Sequence, residues 1–165
     1  GDHRAWVAAV ADDYGLDWQG PKDFTALLRR VDRVPLKLVL AQAANESQWG
    51  ASRFARQGNN LFGEWCFTAG CGLVPKRRET GRSHEVQAFV SINASVRSYL
   101  KNINTSRAYE GLRRVREQLR EAGRPLDAHT LAQGLERYSE RGREYVHEIR
   151  SIIRVNEDLM TGSAG

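Results

Sequence analysis

The chain has 165 residues, 41% of them hydrophobic and 8% aromatic, enough for one domain with its own core and too apolar for a disordered segment. Its formal charge of +5 points to an acidic partner: nucleic acid, an anionic membrane surface or bacterial wall polymer. No run approaches the roughly 18 consecutive apolar residues of a membrane-spanning helix.

The N-terminus opens directly as a polar, helix-like segment with no export leader, and the bare Gly1 start reads as a piece cut from a longer chain. A first helix is expected over 3–14, with Trp6, Val7 and Val10 along one side. Asp23 is placed to cap a second helix through Phe24, Leu27, Leu28 and Val31. Pro35 suits the first turn of a third, which carries Leu36, Val39, Leu40 and Ala43. A short helix near 51–56 leads into a loop of glycine and aromatic residues, Gly58 to Gly72. In that loop Cys66 and Cys71 stand in the run Cys-Phe-Thr-Ala-Gly-Cys, short enough to curl until the sulfurs meet. A disulfide there adds about 2 kcal/mol in the chain-entropy view and implies an oxidising compartment. Free thiols are the alternative. Zinc lacks ligands, since His84 alone stands ready to join the two cysteines.

Leu73-Val74 and Val86 to Val90 flank Thr80-Gly81, which reads as a β-hairpin over 73–90. Helical periodicity resumes at 93–103 with Val96, Tyr99, Leu100 and Ile103. Helices at 106–122, 127–138 and 142–158 follow, separated by Gly123-Arg124-Pro125 and Ser139 to Gly142. Arg113, Arg114, Arg116 and Arg120 form either a solvated helix face or a polyanion-binding surface; Lys76-Arg77-Arg78 is a second basic cluster. With no repeat, low-complexity tract or linker, the expected architecture is a mainly α, α+β domain over 1–165. Its helical body carries a small β lobe, at about 73–90, over a cleft.

Glu46 stands at the end of the third helix, one step beyond Ala43 in the 3.6-residue period. A carboxyl there loses hydration, and desolvation disfavours its charged form. A carboxyl that holds its proton near neutral pH meets the requirement of a general acid that protonates a glycosidic oxygen. By itself a helix-end glutamate is more often solvated or salt-bridged. The context strengthens the chemical reading. Trp49-Gly50, Phe54 and Asn59-Asn60-Leu61-Phe62-Gly63-Glu64-Trp65 interleave aromatic rings with amides and glycines. Pyranose faces stack on rings, and amides hydrogen-bond hydroxyl and acetamido groups. Core filling is the competing use of Trp49, Phe54, Phe62 and Trp65.

The stretch from Val34 to Gly63 carries Ala-Ala-Asn-Glu-Ser-Gln-Trp-Gly, then Ser-Arg-Phe-Ala, then Asn-Asn-Leu-Phe-Gly. It resembles the glucosaminidase family, glycoside hydrolase family 73. The continuation Trp-Cys-Phe-Thr-Ala-Gly-Cys-Gly-Leu-Val-Pro, with His84-Glu85-Val86 and Asn104-Thr105, is similar to its Bax-like branch. The resemblance covers about residues 34–156. It implies a lysozyme-like helical fold with a β lobe, acting on peptidoglycan and cutting the β-1,4 bond after N-acetylglucosamine. Glu46 matches the family's catalytic glutamate. Family members carry a candidate second carboxylate in the β lobe; here that is Glu85 by the His-Glu-Val match, or Glu79 beside the turn. Tyr109 corresponds to a family tyrosine that suits a substrate-assisted route, although Thr-Ser-Arg-Ala replaces the usual residues before it. Tyr138 and Tyr145 read as cleft wall or interlobe packing. The expected substrate-binding set is Trp49, Asn59, Asn60, Phe62, Trp65, Glu79 and Tyr138.

Other readings keep the fold and change the bond, as in a muramidase or lytic transglycosylase, or remove catalysis altogether, as in a wall-binding module. No phosphate-binding loop, metal constellation or nucleic-acid docking motif is present in the sequence, so no cofactor, no metal and no nucleic acid is expected. The expectation is a monomer that works in the periplasm or outside the cell, as a wall-remodelling enzyme or a secreted effector.

Overall fold

A computed structural model describes residues 2–161. The fold is mainly helical with one small antiparallel sheet, as the patterning indicates. Helix α1 (His3–Asp13) begins where the Asp2 carboxylate accepts the Arg4 N–H at 3.1 Å. Its expected apolar side packs only in part: Val7 and Val10 are half-buried and Ala11 is buried, but Trp6 is 67% exposed. Helix α2 (Phe24–Arg30) follows a 3-10 turn at Pro21–Asp23. Asp23 does not cap it. Instead its carboxylate accepts the Gln19 N–H at 2.7 Å and pins the preceding loop.

Helix α3 (Leu36–Glu46) starts after Pro35. Its buried stripe is Leu38, Ala41 and Gln42, rotated from the expected face, with Leu36 and Leu40 pointing outward. Helix α4 (Arg53–Gly58) is capped by Ser52, which accepts the Ala55 N–H at 3.1 Å. Helix α5 (Ile92–Thr105) is capped by Ser91 in the same way. The three expected C-terminal helices each break in two. A 3-10 turn at Arg107–Tyr109 precedes α6 (Glu110–Glu121). Helix α7 (Ala128–Leu131) runs into a 3-10 turn at Ala132–Leu135. There the chain presses so close to α6 that a Cβ at Gly134 would lie 2.3 Å from Leu112 Cα. Helix α8 (Arg143–Val155) ends before the short α9 (Glu157–Met160).

The core lies where α3, α5, α6, α7 and α8 converge on Leu38, Tyr99, Leu112, Leu131 and Ile149, all 0% exposed. Each such aliphatic side chain contributes about 1.5–3 kcal/mol by leaving water. Of the α6 arginines, Arg113 and Arg116 are buried and form neither a solvated face nor a polyanion surface, while Arg114 and Arg120 stay exposed. Arg116 is buried and donates to the carbonyls of Arg29, Arg30, Asp32 and Arg33, the end of α2 and the turn after it. Arg113 donates to the carbonyls of Ile103 and Ser106 at the end of α5, each at 2.8 Å. Arg120 pairs with Asp32, and Arg114 with Glu110. The unpaired carbonyls of two helix ends thus meet fixed cations.

The sheet corrects the expected hairpin. Strands β1 (Trp65–Cys66), β2 (Gly72–Leu73) and β3 (Glu85–Gln87) lie in the order β1-β3-β2, with β3 antiparallel to both neighbours. Thr80-Gly81 does turn the chain, closed by the Arg82 N–H on the Glu79 carbonyl. The pairing is shorter than 73–90, however, and Val90 is 97% exposed beyond the strand. A disulfide joins Cys66 to Cys71 and closes the loop from β1 to β2.

Candidate active site

Between the helical body and the β lobe runs a groove of about 860 Å³. Glu46, the last residue of α3, lines it; so do the loop Phe62-Gly63-Glu64-Trp65, Glu79 on the lobe, and Tyr109 and Tyr138 on the opposite wall. The loop can approach because Gly63 sits at φ +68°, and a Cβ there would lie 3.3 Å from Glu46 Oε2. Position 63 therefore needs glycine both for its backbone and for the carboxyl beside it.

Burial pushes the Glu46 carboxyl above its ordinary pKa, and the negative charge of Glu148 pushes the same way. A hydrogen bond from Tyr145 opposes them by favouring the charged form. Tyr145 is free to donate because its oxygen already accepts from Gln42 Nε2 at 3.0 Å. The Gln42 carbonyl oxygen in turn accepts from the Tyr99 hydroxyl. Buried Gln42 thus fixes the donor direction of a chain that ends on Glu46.

A second carboxyl of the groove, Glu64, has a similar environment. It is half-buried, its Oε2 lies away from solvent with no hydrogen-bond partner among the described residues, and burial pushes its pKa up against a hydrogen bond from Ser98. Tyr109 feels both acids. Burial and the charges of Glu46 and Glu64 push its phenol up to about 12, so it stays protonated and available as a donor. The Tyr138 hydroxyl donates to the Phe62 carbonyl at 3.0 Å, which ties the helical wall to the loop. Phe62 itself stacks on Tyr99, with centroids 4.0 Å apart. Trp65 lies flat on His84, with centroids 3.7 Å apart, and stays 46% exposed in the groove.

Glu46, Phe62, Trp65, Glu79, Tyr109 and Tyr138 are therefore brought together, while Trp49, Asn59, Asn60 and Glu85 are not. Gln48, Trp49 and Gly50 take left-handed φ of 52°, 56° and 79°. That turn, held by the Trp49 N–H on the Ala44 carbonyl at 2.8 Å, leaves the Trp49 ring 64% exposed outside the groove. Asn59 ends α4 in the left-handed conformation and donates to the Phe89 carbonyl. Asn60 is buried; its amide donates to the carbonyls of Glu64 and Gln87 and its oxygen accepts from the N–H groups of Phe62 and Glu64. Its hydrogen bonds build the loop. Both Glu85 oxygens are held by backbone N–H groups, Gly70 at 3.0 Å and Gly72 at 2.7 Å, which lower its pKa. The carboxylate preferred from the sequence as second catalytic group is thus a clamp for the disulfide loop.

Sequence reasoning passed over Glu64 and Gly63 as members of the Asn-Asn-Leu-Phe-Gly-Glu-Trp run. The signal was there: a carboxylate interrupts an otherwise apolar, aromatic loop. It also passed over Arg82, Arg137 and Arg141, which line the same groove. Cys66, Cys71 and Glu85 bring ligand-type atoms within 4.8 Å of one another, but both sulfurs are bonded to each other, so no thiolate is left to hold a metal.

Residues 22–158, which contain every groove residue, match the family described as mannosyl-glycoprotein endo-beta-N-acetylglucosaminidase. Protein bax of Escherichia coli (strain K12) is 34% identical over 160 residues, which cover 95% of this chain and 57% of that protein. The chain thus spans little more than half the length of that relative. No solved structure matches it.

Proposed function

The chain belongs to the glucosaminidase family of glycosidase-type hydrolases, and we propose that it is an endo-β-N-acetylglucosaminidase that cuts the β-1,4 bonds of peptidoglycan strands with Glu46 as general acid. One observation carries the reading: a half-buried carboxyl, biased by burial toward its protonated form, at a helix end inside a groove. Glu46 gives its proton to the bridging oxygen as the bond from C1 to that oxygen breaks. Tyr145 then steadies the carboxylate that remains.

With Glu85 engaged by backbone amides, the other half of the reaction falls in this reading to Glu64, which takes a proton from the attacking water. Such a division of labour inverts the anomeric carbon. Tyr109 keeps its proton and directs it to the acetamido group. Trp65 offers an exposed ring face to a pyranose, Tyr138 walls the groove, and Glu79 meets the strand at the rim. A family that acts on cell-wall glycans, together with a disulfide, fits a periplasmic or extracellular location. No helix among the described residues is long and apolar enough to cross a membrane.

The test is the identity of the new reducing end in digested sacculi. N-acetylglucosamine there supports the reading. N-acetylmuramic acid would make the enzyme a muramidase, and an anhydro-muramic end a lytic transglycosylase. Binding without release of fragments would leave a wall-binding module.

A further inference from the structure

Five arginines line the groove, on both of its walls. Arg77, Arg78 and Arg82 stand on the loop between β2 and β3; Arg137 and Arg141 stand between α7 and α8. Few of these charges are matched internally. Arg77 and Arg137 make no ion pair or side-chain hydrogen bond among the described residues. Arg82 reaches only the exposed Glu79, at 3.6 Å. Arg78 donates to the His84 carbonyl, which carries no net charge, at 3.2 Å. Arg141 alone makes a close ion pair, with Glu148 at 2.5 Å. Of the four carboxyl groups in the groove, Glu46 is the proton donor of the reading above. That leaves Glu64, Glu79 and Glu140 against five guanidinium groups.

The sugar rings and acetamido groups of a glycan strand carry no charge. Bound alone in this groove they would cover cations, strip their water and return nothing to them. Guanidinium groups suit planar carboxylates, which they bind through paired N–H donors. Taking the peptidoglycan reading above as its basis, we propose that the arginine rim binds the free carboxylates of the peptide branches, so that the enzyme acts on strands whose peptide carboxylates are free in preference to strands in which they are masked as neutral amides.

The experiment compares peptide-bearing glycan strands with the same strands after carbodiimide coupling of their peptide carboxylates to ethanolamine, which leaves neutral amides, both from walls without phosphate polymers. The wild type is expected to show a kcat/KM at least tenfold higher on the strands with free carboxylates, a ratio that shrinks as salt is raised. With Arg77→Ala and Arg137→Ala combined, the ratio falls toward one, while circular dichroism reports an intact fold. Equal wild-type rates on both substrates, or a ratio untouched by the double substitution, would overturn the proposal. So would faster cleavage of the amidated strands on adding back a phosphate polymer, which would assign the rim to phosphate. If neither substrate yields reducing ends, it is the glycosidase reading that fails.

Discussion

Two forces meet at Glu46: burial favours the proton, and the Tyr145 hydroxyl favours its loss. Each gives a measurable consequence. In a carboxyl whose pKa is higher in the folded than in the unfolded chain, the native state holds the proton longer. Stability therefore falls as pH rises from the unfolded value, near 4.5, through the raised native one. Glu46→Gln removes that loss. Thermal unfolding should show the variant more stable than wild type at pH 7, with the gap closing near pH 4. Tyr145→Phe removes the hydrogen bond and sends the Glu46 pKa higher still. The alkaline limb of the kcat/KM profile, which reports the acid that must stay protonated, should move to higher pH. A limb that stayed in place would separate Tyr145 from the proton of Glu46.

At the level of elements, the arginines of α6 hold helix ends together. Arg116→Met keeps the aliphatic bulk but leaves the carbonyls of Arg29, Arg30, Asp32 and Arg33 without their donor. A loss of about 2–4 kcal/mol in urea denaturation is expected. Gly63→Ala sets a Cβ 3.3 Å from Glu46 Oε2 at a left-handed φ, so kcat should drop further than the melting temperature suggests. The sequence makes α3, its end at Glu46 and the later helical segments legible, because periodicity and caps are local. It does not say what a polar helix face will meet, so Arg113 and Arg116 look solvated until α2 and α5 are packed beside them. The strand alternation around Glu85 was equally readable. Its engagement by Gly70 and Gly72 depends on how the disulfide loop folds back, which no spacing reveals. The breaks after Tyr109 and Leu131 come from close packing such as Gly134 on Leu112, again a tertiary cause.

For the whole molecule, the groove exists because α3 delivers a carboxyl to the seam between a helical body and a small lobe. The lobe is held by a three-stranded sheet and one disulfide. Replacing Cys66 and Cys71 together with Ser should lower stability by about 2 kcal/mol, the loop-closure contribution of so short a ring, with the effect lost in wild type under reducing conditions. The family match spans the groove from wall to wall, and the proposed general-acid role of Glu46, whose pKa burial raises, ties that match to a reaction. Mass spectrometry of reducing ends from sacculi digested by wild type and by Glu46→Gln tests that tie most directly. Wild type should release fragments that end in N-acetylglucosamine, and the variant should release them about 10²–10⁴-fold more slowly while remaining folded. A folded Glu46→Gln protein that cuts at the wild-type rate would contradict the account.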